Sequence, residues 1–370
     1  MIPTMEEVVT AYLDCRKGKR NTPGAIAFES KLVRNLSRLW DELVTGEYEI
    51  GASHCFVVLH PRPREIWAAE FRDRIVHHVV YNRIAPALHA SFSAASCACI
   101  PGRGTLYGVK RLEKQIRGAT QNWSKRMFYL KLDLANFFVS IYKPIVFDLL
   151  APKLRDQWTF DITRKILFHD PRDNVVIASP PAVMRLVPEH KSLFHAGKDY
   201  GLPIGNLPSQ LDANVLLNPL DQYVGHRLKP LGYVRYVDDF ILLHESSAWL
   251  IEAKEQIEAF LYERLQLRIN PSKTVLQPVE RGVDFVGQVI KPWRRVARNT
   301  LLPAAQRRIN LEDDPEARRS SANSYLGLLR QCSAYRERAS ICRSMMRHGH
   351  PTDTKFTRVF AQSGGLQCDI

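Results

Sequence analysis

Three carboxylates occupy places where an ordinary buried strand would not put them. Asp133 ends the run Met127-Phe-Tyr-Leu-Lys-Leu-Asp133, and the doublet Asp238-Asp239 interrupts the apolar stretch from Tyr233 to Leu243. Adjacent carboxylates in a hairpin turn repel each other and cost stability unless a cation neutralises them, and Mg2+ prefers carboxylate oxygens combined with substrate phosphates. The chemistry that gathers three carboxylates is phosphoryl transfer with paired ions ~3.5–4 Å apart, one activating a hydroxyl and one stabilising a leaving pyrophosphate. Asp133 lies 105 residues before Asp238, so only tertiary folding can join them. Taken alone, an Asp-Asp doublet is better explained by a turn, because Asp favours turns.

The elements that must position these groups are readable in outline. Met127–Leu134 is rich in strand formers, and Tyr233–Leu243 reads as strand, turn, strand. A capping box at Thr4 and Glu7 opens a short helix through Leu13. Leu32, Leu36, Leu39 and Leu43 recur at helical spacing, and Phe71 to about Leu88 is a second amphipathic helix. Between them Cys55–Leu59 is a strand, and His60-Pro-Arg-Pro-Arg64 is a stiff cationic turn returning into Ile66-Trp67. Tyr142–Phe168 is mostly helical with starts or breaks at Pro144 and Pro152, and Ser209–Val224 is helical with a kink at Pro219. Residues 169–201 are expected to be an irregular surface loop, in which His169, Asp170 and His190 make a weak case for metal binding. His77 and His78 are adjacent and lack the i,i+4 spacing of a zinc pair, so packed or solvated histidines are expected.

Composition bounds the rest. The 370 residues carry 52 Lys+Arg against 38 Asp+Glu, a formal +14, which points to a polyanionic partner. Residues 291–349 alone hold thirteen Lys+Arg against five Asp+Glu, nearly all arginine and interleaved with Trp293, Tyr325 and Tyr335, which suits gripping a nucleic-acid duplex. No run approaches the ~20 apolar residues of a membrane span, and the N-terminus lacks a secretory pattern, so a soluble cytoplasmic protein without a membrane partner is expected. Seven scattered cysteines, Cys368 among them, read as reduced thiols.

In their order along the chain, the motifs resemble those of reverse transcriptases. Tyr236-Val-Asp-Asp239 resembles the Y-x-D-D box, and Leu132-Asp133 to Phe138 resembles the first palm motif. Gly201-Leu-Pro-Ile-Gly205-Asn-Leu-Pro-Ser209-Gln210 resembles the G-x-x-x-S-[PQ] loop and helix, Asn270-Pro-Ser-Lys273-Thr the later palm lysine motif, and Val283-Asp-Phe285-Val-Gly287 the primer grip. Upstream, Arg62-Pro-Arg64-Glu-Ile resembles the fingertip that clamps a triphosphate, and Arg72-Asp-Arg74-Ile-Val with Gly102-Arg103-Gly104 resembles the bacterial fingers motifs. Within the family, Ile204-Gly205 with Ser209-Gln210 is most similar to the enzymes of diversity-generating retroelements and related unclassified bacterial groups, several of which act in phage defence. Ile204 stands where many relatives carry Gln, which implies relaxed fidelity. The stretch 169–200 is longer than in the mutagenic enzymes.

The resemblance implies an α+β right hand: N-terminal helices and fingers over 1–127, a palm with an antiparallel sheet over 128–290 bearing an insertion at about 142–200, a short basic helical thumb over 291–350, and a tail over 351–370. It implies an RNA-directed DNA polymerase copying a structured RNA into cDNA. Asp133, Asp238 and the carbonyl of Leu134 would hold two Mg2+, for which Mn2+ can substitute, with Asp239 completing the cluster and Lys273 assisting the departing pyrophosphate. Arg62 and Arg64 would bind triphosphate oxygens, Phe138 would exclude a ribose 2′-OH, and Ile204, Gly205 and Gln210 would line the nucleotide site. Arg74, Arg103, Phe285, Gly287, Arg307 and Arg308 would contact nucleic acid. Implied partners are an RNA template, such as a dedicated non-coding RNA, a DNA or RNA primer, dNTPs, and an accessory protein or a second copy of the chain. Neither a ribonuclease H carboxylate set, an HNH pattern nor a maturase extension is expected after about residue 350. An anti-phage enzyme making repetitive, untemplated or protein-primed DNA is the alternative on the same fold. A non-catalytic RNA-binding scaffold is a further reading, disfavoured by the carboxylates, Lys273 and Phe138.

Overall fold

Capping chemistry begins the first helix where the sequence places it. In the computed structural model, which describes residues 1–60 and 62–362, the Thr4 hydroxyl accepts the Glu7 N–H while the Glu7 carboxylate accepts the Thr4 N–H, opening α1 (Met5–Arg16). Cys368 lies outside the described residues. Helices α2 (Pro23–Glu29) and α3 (Leu32–Thr45) follow, α3 burying Leu36, Leu39 and Leu43 on one stripe. Strands β1 (Ser53–Val58) and β2 (Arg64–Ala69) form an antiparallel hairpin with Cys55 opposite Trp67, and its tip carries the exposed Arg62 and Arg64. Helix α4 (Phe71–Ser91) buries Ile75, Val76 and Val79 and packs on α1, and α5 (Thr105–Ala119) leads to the central sheet.

After β3 (Phe128–Asp133) come α6 (Phe137–Ser140), α7 (Lys143–Leu150) and α8 (Gln157–Phe168). The next stretch differs from the expected irregular loop. Residues Val175–Ile177 form β4, paired parallel to β1 with Ser53 opposite Val175, and so extend the β1–β2 hairpin to a sheet of order β2-β1-β4. Three residues are too few to display a period, and the strand state is imposed by the open edge of β1. A short helix α9 (Pro181–Met184) follows, and then Phe194 packs on the Trp67 ring at 4.8 Å while the Leu193 N–H donates to the buried Glu65 carboxylate at 2.9 Å. The stretch thus backs the hairpin. Asp170 is engaged by Arg172, and His77 is buried, as a packed histidine should be.

Helix α10 (Leu207–Tyr223) precedes the hairpin β5 (Gly232–Tyr236) and β6 (Asp239–His244), then α11 (Ser247–Phe260) and β7 (Val275–Pro278). The central sheet runs β5-β6-β3-β7 with every neighbour antiparallel. Both faces are covered, which is why its strands read as near-continuous apolar runs. Tyr129, Val234, Ile241 and Leu243 pack toward Val109, Leu112 and Ile116 of α5, whereas Leu130, Leu132, Phe240 and Leu242 join the larger core with Leu250 and Ile257 of α11. Because side chains alternate, Lys131, Asp133 and Asp239 all project on the α5 side.

A three-stranded sheet, β8 (Val283–Phe285), β9 (Gln288–Lys291) and β10 (Arg294–Ala297) in the order β10-β9-β8, joins this body to α12 (Leu301–Leu311), α13 (Pro315–Leu329) and α14 (Tyr335–Arg347). These three helices share a small core of Ala305, Ile309, Leu326, Ile341 and Met345, completed by Val359 from the following segment. The architecture is the expected α+β. Among the described residues no helix is long and apolar enough to cross a membrane.

Candidate active site

The register of the central sheet brings the distant acids together. Asp133, the last residue of β3, stands directly opposite Asp239, the first of β6, and Asp238 occupies the turn beside them. The Leu134 N–H donates to the Asp238 carbonyl at 3.2 Å, and the Asp133 carbonyl accepts the Asn270 N–H at 2.7 Å, so backbone bonds fix both sides. Val237, between Tyr236 and Asp238, sits at φ +56°, a left-handed conformation that costs a β-branched residue on the order of 1–2 kcal/mol.

Electrostatics at the turn favour a cation. Burial, reinforced by the Asp133 charge, pushes Asp238 up to about 6, and burial raises Asp239 against the pull of Lys131. Asp239 Oδ1 is buried without a hydrogen-bond partner. An acidic cluster with spare lone pairs and raised carboxyls suits a hard divalent ion. Lysines now attend it: Lys273 Nζ lies 2.6 Å from Asp133 Oδ1, and Lys131 Nζ lies 3.0 Å from Asp239 Oδ2 while also donating to the Asp284 carbonyl at 3.0 Å. Among the described residues no trio of His, Cys, Asp or Glu side chains converges as a ready-made cation cage. A metal at Asp133 would therefore displace the Lys273 ammonium. Lys131 escaped the sequence reading, although its position two residues before Asp133 places it on the same strand face.

The other expected residues divide by their surroundings. Phe138 is half-buried just after the left-handed Asn136, its ring edge-on to Phe137 at 5.3 Å. Gly205 has φ +123°, and a Cβ there would meet the Trp67 carbonyl and Ile66 Cγ2 at 2.9 Å each. The space a side chain would need at this position, expected to line the nucleotide site, is thus filled by β2. Beside it the Ile204 carbonyl accepts the Trp67 N–H at 2.7 Å and Asn206 Oδ1 accepts the Ala69 N–H at 3.1 Å, which stitches the β1–β2 hairpin to the start of α10; Gln210 is exposed.

Three of the residues expected to contact nucleic acid are enclosed or engaged by the protein itself. Phe285 is fully buried, with Gly108 against its ring edge, so its ring packs in the core. Arg74 donates to the Ala69 carbonyl at 2.8 Å, and Arg103 donates to the Ser93 and Ser96 carbonyls at 2.7 and 2.9 Å, so both arginines brace the protein itself. Gly287, at φ +90°, shapes the β8–β9 turn, and Arg307 and Arg308 are exposed on α12.

The chain resembles known proteins over most of its length. Residues 61–290 match the family model described as reverse transcriptase (RNA-dependent DNA polymerase). Protein YkfC of Escherichia coli (strain K12) is 22% identical over 306 residues, covering 72% of this chain and 75% of YkfC. The group II intron-encoded protein LtrA of Lactococcus lactis subsp. cremoris is 27% identical over 149 residues, covering 35% of this chain and 24% of LtrA. Among solved structures, a Candida albicans telomerase in complex with a telomeric RNA fragment aligns at TM-score 0.49 and 12% identity, covering 85% of this chain and 64% of that one. An apo telomerase from Candida tropicalis aligns at TM-score 0.49 and 10% identity, covering 80% of this chain and 58% of that one. The chain thus spans less than two thirds of LtrA and of either telomerase.

Proposed function

The chain belongs to the reverse transcriptase (RNA-dependent DNA polymerase) family, and from that premise we propose that Asp133, Asp238 and Asp239 are its catalytic carboxylates. The observation that carries the reading is the pairing of Asp133 with Asp239 across the β3–β6 ladder with Asp238 in the adjoining turn. In this reading Asp133, Asp238 and the Leu134 carbonyl would hold two divalent ions, Mg2+ or Mn2+, which would supply charge neutralisation when a primer 3′-hydroxyl attacks the α-phosphorus of a dNTP and pyrophosphate leaves. Lys273 leaves Asp133 and turns its ammonium to the departing pyrophosphate, while Asp239 stays with Lys131 and completes the acidic cluster. Arg62 and Arg64, exposed at the fingers tip, take the triphosphate, and Phe138 blocks a 2′-hydroxyl. The partners are an RNA template, a DNA or RNA primer and dNTPs, with an accessory protein or second copy supplying what the chain itself does not. The fingers of this reading are residues 1–127, the palm 128–290 and the thumb 291–350.

The test is incorporation of labelled dNTPs on a primed RNA template in Mg2+. Wild type should extend the primer, and Asp238→Ala/Asp239→Ala should lose at least about a thousandfold in rate. A wild-type enzyme inert on every RNA tried, or a double variant that still polymerises, would falsify the assignment.

A further inference from the structure

Behind the acidic turn lies a charged group that the proposed chemistry does not use. Arg235 is 1% exposed, and all five of its N–H donors have acceptors. Nε and Nη2 hold Asp221 Oδ1 and Oδ2 at 2.8 and 2.6 Å, and Nη2 also donates to Ser96 Oγ at 3.0 Å. Nη1 donates to Asn214 Oδ1 at 3.2 Å and to the Val237 carbonyl at 3.0 Å. Asp221, itself 1% exposed, accepts a further bond from the Tyr233 hydroxyl at 2.7 Å, and Asn214 Nδ2 donates to the Ala98 carbonyl at 2.9 Å. The Arg235 backbone adds an N–H to the Ala95 carbonyl and accepts the Cys97 N–H, both at 2.9 Å. One guanidinium therefore joins α10, the loop around Ser96 and the turn that bears both acids.

A buried ion pair is a weak source of stability compared with apolar residues of the same size, so this one calls for another use. The bond to Val237 supplies it. Val237 holds the left-handed φ that points Asp238 and Asp239 as they are, and a β-branched residue left alone would abandon that conformation. We infer that Arg235 is a positioning residue for polymerisation: anchored by Asp221, Asn214 and Ser96, it clamps the Val237 carbonyl and fixes the strained turn that aims the two carboxylates. This rests on the proposed catalytic role of those carboxylates. Lysine cannot replace it, since a three-donor point charge cannot grip Asp221 in bidentate fashion and reach Val237 as well.

The test compares wild type, Arg235→Lys, Arg235→Lys/Val237→Asn, Ser96→Ala and Asp238→Ala on one primed RNA template, with melting recorded for each. Arg235→Lys should lower kcat roughly 10- to 100-fold and weaken Mn2+ binding, read by electron paramagnetic resonance, by about tenfold. The KM for dNTP and the Kd for the primed hybrid should stay within about twofold, the mark of an interaction that acts on the reacting geometry alone. Asn tolerates positive φ, so adding Val237→Asn should return much of the lost kcat. Full kcat in Arg235→Lys, or a double variant whose melting recovers while kcat does not, overturns the inference. Ser96→Ala withdraws one acceptor and keeps the charge; it should lower kcat a few-fold at unchanged KM. Full kcat in Ser96→Ala beside an Arg235→Lys chain that fails to fold would assign the network to stability alone. An active Asp238→Ala sinks the underlying assignment, whereas an inactive Asp238→Ala beside an active Arg235→Lys sinks only the positioning role.

Discussion

Asp212, on α10, faces a small cavity with His77 and Thr163 rather than the acidic turn, and burial pushes its carboxyl up to about 8. His77 meets the opposite fate. Burial, aided by the neighbouring His78, pushes it down to about 3, and its Nδ1 and Thr163 Oγ1 lack partners. The signs are opposed. Between about pH 4 and pH 8 the unfolded chain ionises Asp212 while the folded one keeps its proton, so this residue erodes stability as pH rises. His77 erodes it as pH falls below about 6.5, because the unfolded chain then binds a proton that the folded one refuses. Asp212→Asn should therefore raise the melting midpoint more at pH 8 than at pH 5, by roughly 5 °C or more, in thermal scans at both values. An equal shift at the two pH values would mean that Asp212 is ionised in the folded chain.

The loop before α10 shows how an element is held by a contact that no local pattern announces. Its Gly205 meets the β2 backbone, so Gly205→Ala adds a Cβ at a disfavoured φ and pushes the hairpin away, which should cost about 1–3 kcal/mol. Limited proteolysis checks this: cleavage within residues 53–69 should quicken in Gly205→Ala while cleavage in helices α12, α13 and α14 stays unchanged. The same loop marks the limit of legibility. Asp133 and the Asp238-Asp239 doublet stood out because charge inside apolar strand runs is rare, and the long helices stood out by period. Strand β4 did not, because its three residues depend on the edge of β1. Lys131 was legible only through strand alternation, and nothing local ties Arg235 to Asp221, whose pairing is made by the fold. The motif around Phe285 did not say that its ring is buried, since the tertiary packing decides where it points.

Across the whole molecule the basic charge concentrates where the sequence placed it, with Arg307 and Arg308 exposed on α12. If this face grips a hybrid duplex through phosphates, Arg307→Ala/Arg308→Ala should flatten the slope of log affinity against log salt by about two, measured by fluorescence anisotropy from low to moderate salt. An unchanged slope would move the duplex to another face. The lysines resting on the acidic turn act at this scale too. Lys273 and Lys131 already sit against Asp133 and Asp239, so the protein supplies counterions of its own at the turn. Chelation with EDTA should silence synthesis reversibly yet leave the melting midpoint within about 2 °C, unlike a zinc-finger domain, which unravels when stripped. A preparation stored in chelator should be dormant rather than damaged, and restoring the divalent salt should wake it at once.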